Sequence, residues 1–312
     1  MQRFTFDFIG RRRLWYLIST ILIVPGVLAL LFWHLNVGID FRGGTVQDIT
    51  FASRPAVEEV RSLIGEQHIK GVNVQTSSQQ DVLVRYPDQQ GTTPRATGNR
   101  VLTALQAKHV DAKEVSFTSI GSSVASDTVK QAAYAVVLAS IAIILFIAFS
   151  FRGVAKPASS WRFGVTAIAA LAHDILFVVG AFALLGHFFP NIEVDSLFIT
   201  AILTILGFSV NDTIVVFDRI RENLRRSSGK SFDEVANSSL NQTLARSINT
   251  STTVLLVLLA LLLLGGSSIR NFVLALTLGV AIGTYSSIFN ASPLLVSWQN
   301  RAVPKTQQKG AR

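Results

Sequence analysis

Residues 197–223 read LFITAILTILGFSVNDTIVVFDRIREN, an apolar run broken by Asp212 and ending in alternating charges. About 20 mostly apolar residues suffice for a helix to cross a bilayer core, so this stretch predicts a membrane span with an acid inside it. Asp212 lies six residues before Asp218, roughly 9 Å deeper at 1.5 Å per helical residue. A charge at the centre of a span costs about 3 kcal/mol or more, and such groups face a partner or a water-filled path. Ser209 sits one turn earlier on the same face, and Asn211 and Thr213 flank the acid.

Beyond the charged turn 218–230, DRIRENLRRSSGK, the segment Ser231 to Ala245 opens with SFDE. Ser231 and Glu234 have the spacing of a capping box, and one helix is predicted to run from there into the next apolar run. Along it Gln242, Thr243, Arg246, Asn249, Thr250 and Thr253 fall on one polar stripe at helical spacing. The nearest polar surface for that stripe is Asp212, which predicts an Asp212–Arg246 pair at membrane depth. Two plainer readings stand beside it: a static ion pair that only fixes helix register, and an Arg246 whose long stem snorkels to the inner surface.

The whole chain has this character. Its 312 residues are 49% hydrophobic and only 15% charged, with a mean hydropathy of +0.44. Six apolar runs qualify as spans: Leu14 to His34, Ala132 to Phe151, Phe163 to Leu185, Leu197 to Phe217, Ser247 to Leu264 and Phe272 to Trp298. The third buries His173 and Asp174, and Asp174 is either a structural hydrogen-bond acceptor or a functional group. The sixth carries Gly279, Gly283 and Ser287 at intervals of four, a pattern that lets helix backbones approach closely. Residues 1–36 are expected to be a cytoplasmic N-terminus with a retained anchor, 131–298 a five-helix membrane bundle, and 299–312 a cytoplasmic tail. Phe4, Phe6 and Phe8 read as an anchor at the membrane interface.

Charge placement gives the orientation. Arg3 and Arg11 to Arg13 precede the first run, and Lys/Arg clusters follow the second, fourth and sixth, whereas the loop at 186–196 has none. The positive-inside rule then puts both termini in the cytoplasm and residues 37–130 outside. That outer segment holds ten basic and ten acidic residues. The net charge of +9 is therefore topological, and a nucleic-acid footprint, which needs a basic face on a folded domain, is excluded.

Within 37–130, TVQDITF alternates as a strand, Pro55 to Gln67 and Asn99 to His109 have helical periodicity, and Val72 to Thr76, Val82 to Tyr86 and VSFTSIG supply further strands. The order βαββαβ predicts a small α+β ferredoxin-like domain. PDQQGTTPRATG reads as a mobile loop. There is no cysteine, and no catalytic triad, metal-ligand cluster or phosphate loop, so no enzyme activity, cofactor or metal is expected; His68 and His109 read as surface or packing residues.

Several stretches together resemble the SecF family, the smaller partner in the bacterial SecD–SecF protein-export complex and a relative of resistance-nodulation-division (RND) transporters. They are VGIDFRGGT (37–45), LAHD (171–174), SVNDTIVVFDRIREN (209–223), LNQTLARSINTS (240–251) and IGTYSSIF (282–289). The resemblance implies one RND-type half of six membrane helices in the bacterial inner membrane. It implies an accessory to the SecYEG channel that works with SecD and uses the proton-motive force to draw unfolded secretory polypeptides outward. The family's proton-carrying aspartate falls on Asp212 and its arginine partner on Arg246. Asp174, Ser209, Asn249 and Thr250 then join the expected proton pathway by holding relay waters, among protons and lipids as the other partners. Where family members often show Gly-Pro followed by Val-Gly before the second span, this chain has IGSSVAS (120–126). A rival reading is half of an RND-like exporter of small molecules or lipids; another is a passive scaffold for the channel.

Overall fold

The computed structural model describes residues 6–76, 80–152, 159–189, 191–227, 229–266 and 269–302. Phe4, residues 77–79, most of the segment that follows the second span, Ser267 and residues 303–312 lie outside the described residues. In chain order the elements are α1 (Arg12–Phe32), α2 (Ile39–Arg42), β1 (Gly44–Thr50), α3 (Val57–Gly65), β2 (Asn73–Thr76), β3 (Asp81–Tyr86), α4 (Pro94–Gln106), β4 (Lys113–Ile120), α5 (Ser122–Ser150), α6 (Ser160–Phe188), α7 (Ser196–Arg226), α8 (Phe232–Leu264) and α9 (Arg270–Ser286). A π-helical turn, Ser287–Ala291, carries α9 into α10 (Ser292–Ala302). Among the described residues, six helices are long and apolar enough to cross a membrane: α1, α5, α6, α7, α8 and the continuous α9–α10 helix.

Burial divides the bundle into a centre and a rim. In the most apolar window of α9–α10, 56% of residues are buried, against 6% in α5, so α6, α7 and α9 form the core and α1, α5 and α8 pack around it. Glycines set two close crossings. A Cβ at Gly180 would lie 2.7 Å from the Cα of Gly26, so α1 and α6 meet backbone to backbone. Gly279 makes room for Ile205, and Gly283 brings α9 up to Ser209; such close approach is how helices gain packing energy where no hydrophobic driving force exists.

At one end of the bundle the N-terminal segment is docked into the protein. Phe8 and Ile9 are buried in the main core. The Asn237 side chain accepts from the backbone N–H of Phe8 at 2.8 Å and Ile9 at 3.3 Å and donates to the Phe6 carbonyl. Asn241 bonds Phe6 on both backbone groups. Phe8 is thus a core residue at the start of a turn, where the sequence suggested an interface anchor: two asparagines one turn apart on α8 replace the hydrogen bonds that the non-helical backbone would otherwise lack.

At the other end, β1 to β4 form one sheet in the order β2-β3-β1-β4, every neighbouring pair antiparallel. Alternation puts Ile49, Val82, Val84, Tyr86 and Val74 on one face, packed with Val60 and Ile64 of α3 and Val101 and Leu105 of α4. α4 begins at Pro94, inside the stretch expected to be a loop. The reason is local: the Thr93 side chain accepts from the Ala96 N–H, Pro94 takes the first turn, and both are strong helix-start signals. Gly98 is tolerated within α4 because a Cβ there would strike the Phe117 ring. Gly43 (φ +76°) and Gly44 (φ +131°) turn the chain from α2 into β1, a conformation that favours glycine.

The second face of the sheet overhangs the bundle. Asp48, Gln75, Arg85 and Thr118 line a cavity of about 460 Å³ whose floor includes Glu193, Asp195 and Asn271. Arg85 of β3 pairs with Glu193 of the α6–α7 loop at 2.5 Å. The linker after α1 is zipped to the same loop: Gly38 N–H donates to the Val194 carbonyl at 2.9 Å, and Val194 N–H to the Asn36 carbonyl at 2.8 Å. Asp40 accepts from both the backbone N–H and the hydroxyl of Ser196.

Candidate functional site

Two helices, α6 and α7, place two carboxylates in the core of the bundle. On α7 the positions Ile202, Ile205, Ser209, Asp212 and Val216 share the buried face, a spacing of three and four residues that brings the acid inward with its apolar neighbours. On α6 the same periodicity buries Ala167, Ala170, His173 and Asp174. Asp212 is 8% exposed and Asp174 only 1%.

Hydroxyl groups satisfy both acids. Asp174 Oδ2 accepts from Ser209 Oγ of α7 at 2.5 Å and from Ser286 Oγ of α9 at 2.7 Å, and its Oδ1 lies 3.0 Å from His173 Nδ1. Asp212 Oδ1 accepts from Ser247 Oγ of α8 at 2.7 Å, and its Oδ2 from Ser287 Oγ. Ser286 and Ser287 are adjacent, yet they serve acids on two different helices; Ser287 opens the π-helical turn. Buried charge without a counter-cation is expensive, and serine donors offset part of that cost. Two polar atoms at the site, His173 Nε2 and Thr213 Oγ1, are buried without a partner.

Of the residues expected to cluster about Asp212, Asp174 and Ser209 bond each other one turn away along α7. Arg246, Asn249 and Thr250 are exposed on the outer side of α8, and no ion pair joins Arg246 to Asp212 among the described residues. The inward face of α8 is Thr243, Ser247 and Ser251, about 100° round from Arg246 by the helical period. A tightly packed membrane interface takes small hydroxyl side chains, and a long guanidinium is left to the periphery. Ser247, Ser286 and Ser287 carry the site without having been singled out for chemistry. The signal for Ser247 was the spacing of four from Ser239 through Thr243 and Ser247 to Ser251, which prominent charges on the neighbouring face obscured.

Three comparisons bear on this arrangement. Residues 100–301 match the family model described as protein export membrane protein SecD/SecF, C-terminal. The chain is 45% identical over 305 residues to the protein translocase subunit SecF of Thermobaculum terrenum, covering 95% of this chain and 94% of that one. This chain belongs to the SecF family. The SecF of Anaerolinea thermophila is 37% identical, with 98% of both chains covered. The crystal structure of SecDF, a translocon-associated membrane protein from Thermus thermophilus, superposes with a TM-score of 0.83 at 34% identity. That match covers 95% of this chain and 39% of the longer SecDF chain, so a SecF-type chain is similar to one part of a fused protein.

Proposed function

We propose that this chain is an accessory subunit of the Sec protein translocase in the bacterial inner membrane, using the proton-motive force to promote polypeptide export. It works with SecD beside the SecYEG channel, and its outer domain, on residues 44–120, is the mechanical element that meets the unfolded polypeptide. The membership in the SecF family supports the pathway. The βαββαβ order with sheet order β2-β3-β1-β4 supports the ferredoxin-like reading of the outer domain. The basic residues Arg12 and Arg301, at the end opposite that domain, support an orientation with both termini in the cytoplasm.

The observation that carries the proton reading is Asp212 itself: a carboxylate in the core, held among the described residues by the hydroxyl donors of Ser247 and Ser287. A carboxylate so placed exchanges a proton when geometry changes, because the balance of hydrogen bonds and desolvation decides its charge. Asp212 is the proton carrier, with Asp174 and Ser209 next along the pathway. Arg246, Asn249 and Thr250 present a polar strip to whatever packs outside α8; with SecD there, Arg246 is the charge partner that Asp212 meets when the helices move. No bond is made or broken except to the proton.

The reading is tested with sealed inner-membrane vesicles depleted of this chain and then supplied with it. The gradient-stimulated part of secretory-protein import is expected to disappear on depletion and return on resupply. If depletion leaves that part intact and instead blocks efflux of a small hydrophobic dye, the exporter reading replaces this one.

A further inference from the structure

The adjacent serines of α9 have two acceptors each. Ser287 Oγ lies within hydrogen-bond reach of Asp212 Oδ2 and at 3.1 Å from the Thr284 carbonyl. Ser286 Oγ lies 2.7 Å from Asp174 Oδ2 and 3.2 Å from the Gly283 carbonyl. A serine hydroxyl carries one hydrogen, so it donates to the carboxylate or to its own helix, never fully to both. We infer that Ser286 and Ser287 are positioning residues that form a hydroxyl switch, reading the protonation of Asp174 and Asp212 and passing it to the π-helical turn of α9.

The chemistry is closed within these groups. With Asp212 ionised, Ser287 donates to it. When a proton arrives on Oδ2, the carboxylic acid becomes a donor, Ser287 Oγ becomes the acceptor, and the serine hydrogen turns to the Thr284 carbonyl. Back-bonding of serine to a carbonyl one turn earlier bends helices, and it occurs here beside a stretch whose ladder is already widened. The Ser287 carbonyl accepts from Ser292 Oγ at 3.2 Å, five residues on, and π turns of this kind mark functional sites. Ser286 acts in the same way one residue earlier, which ties the two acids to one backbone.

The titratable and charged groups around this element are few. α6 brings His173 and Asp174, α7 brings Asp212, α9 brings Tyr285, whose ring stacks 6.5 Å from His173, and α8 brings Ser247 inward and Arg246 outward. His173, 3.0 Å from Asp174 Oδ1, is a cation only when protonated, and no ion pair reaches Asp212 among the described residues.

This inference rests on the proton-carrier reading, and the experiment separates the two. The gradient-stimulated part of import is measured against pH for wild type, Asp212→Asn, Ser287→Ala and Ser287→Thr. Losing a donor to the ionised form moves the midpoint toward higher pH; Ser287→Ala is expected to move it by about one unit, a tenfold change in proton affinity, and Ser287→Thr, which keeps the hydroxyl, to restore it. Stimulation retained in Asp212→Asn removes the proton-carrier reading. Stimulation lost there, with the Ser287→Ala midpoint unmoved, removes the switch alone. A second measurement needs no serine variant. Infrared spectra of the full chain with ¹³C at threonine carbonyls, minus those of Thr284→Val labelled likewise, isolate the Thr284 carbonyl. Its band shifts to lower frequency on acidification if Ser287 turns to it, and stays still if there is no switch.

Discussion

Ser247 donates to Asp212 across the α7–α8 interface at 2.7 Å, while its chain neighbour Arg246, about 100° round the same helix, is exposed. The stability of the isolated chain therefore depends on the serine and hardly on the arginine. Ser247→Ala leaves a buried carboxylate short of a donor and is expected to cost about 1–3 kcal/mol. Arg246→Gln is expected to stay within about 0.5 kcal/mol, as exposed substitutions do. Unfolding in detergent compares the two directly; a larger loss for Arg246→Gln contradicts the packing described.

The contact of Gly26 with Gly180 leaves no space for a side chain. Gly180→Ala is expected to force α1 from α6 at a cost of about 1–3 kcal/mol, the usual range for overpacking, and Gly180→Leu to prevent the two helices from packing. Gly207, about which a Cβ would meet nothing within 4 Å, provides the control: Gly207→Ala should leave the melting temperature at or above that of wild type. A lower melting temperature for the Gly207 variant than for Gly180→Ala would count against the crossing.

Asn237 holds the N-terminal segment by three hydrogen bonds, to the backbones of Phe6, Phe8 and Ile9. Asn237→Ala strands those groups and is expected to release the segment. Amide exchange at Phe8 and Ile9 should rise at least tenfold, with α8 itself unchanged. Equal protection in wild type and variant would mean that Asn241 and the burial of Phe8 keep the segment in place without Asn237.

At the end of the bundle that carries the sheet, burial pushes the Glu193 carboxyl above its ordinary range, and Arg85 only partly opposes this. The docked form then holds a proton on Glu193 at pH values where the undocked carboxylate, near 4.5, has lost it. By linkage, docking of the sheet domain on the bundle strengthens as the pH on that side falls toward 4.5 through the raised value and weakens as it rises above it. Amide exchange at Gly38 and Val194, corrected for its intrinsic pH dependence, is expected to slow on acidification. Glu193→Gln should flatten that response; an unchanged response would assign it to another group.

Much of this fold could be read in the residues. Apolar length marked the six spans, alternation marked the strands, and the capping box at Ser231 with Glu234 is present as expected, starting α8. The start of α4 was hidden because Gly91, Pro94 and Gly98 look like loop residues until Thr93 is seen to cap them. Asp174 and Asp212 were visible as acids in apolar runs. The side of α8 that meets Asp212 was not, because residues 246 and 247 differ by only one step along the chain but face opposite surroundings. Periodicity alone ranks a stripe with a guanidinium above a stripe of hydroxyls, whereas the space between close helices selects the hydroxyls. The docking of Phe8 depends on two asparagines more than 200 residues away, a tertiary contact that leaves no local pattern.

Asp212 is proposed to carry the proton. Secretory-protein import into sealed vesicles, with and without a proton gradient, compares wild type with Asp212→Asn at equal membrane levels. Asparagine keeps the shape and loses the titration, so import is expected to fall to the gradient-independent level and stay there. Full gradient stimulation in Asp212→Asn would contradict the account, leaving Asp212 as a structural acceptor and the chain as a scaffold for the channel.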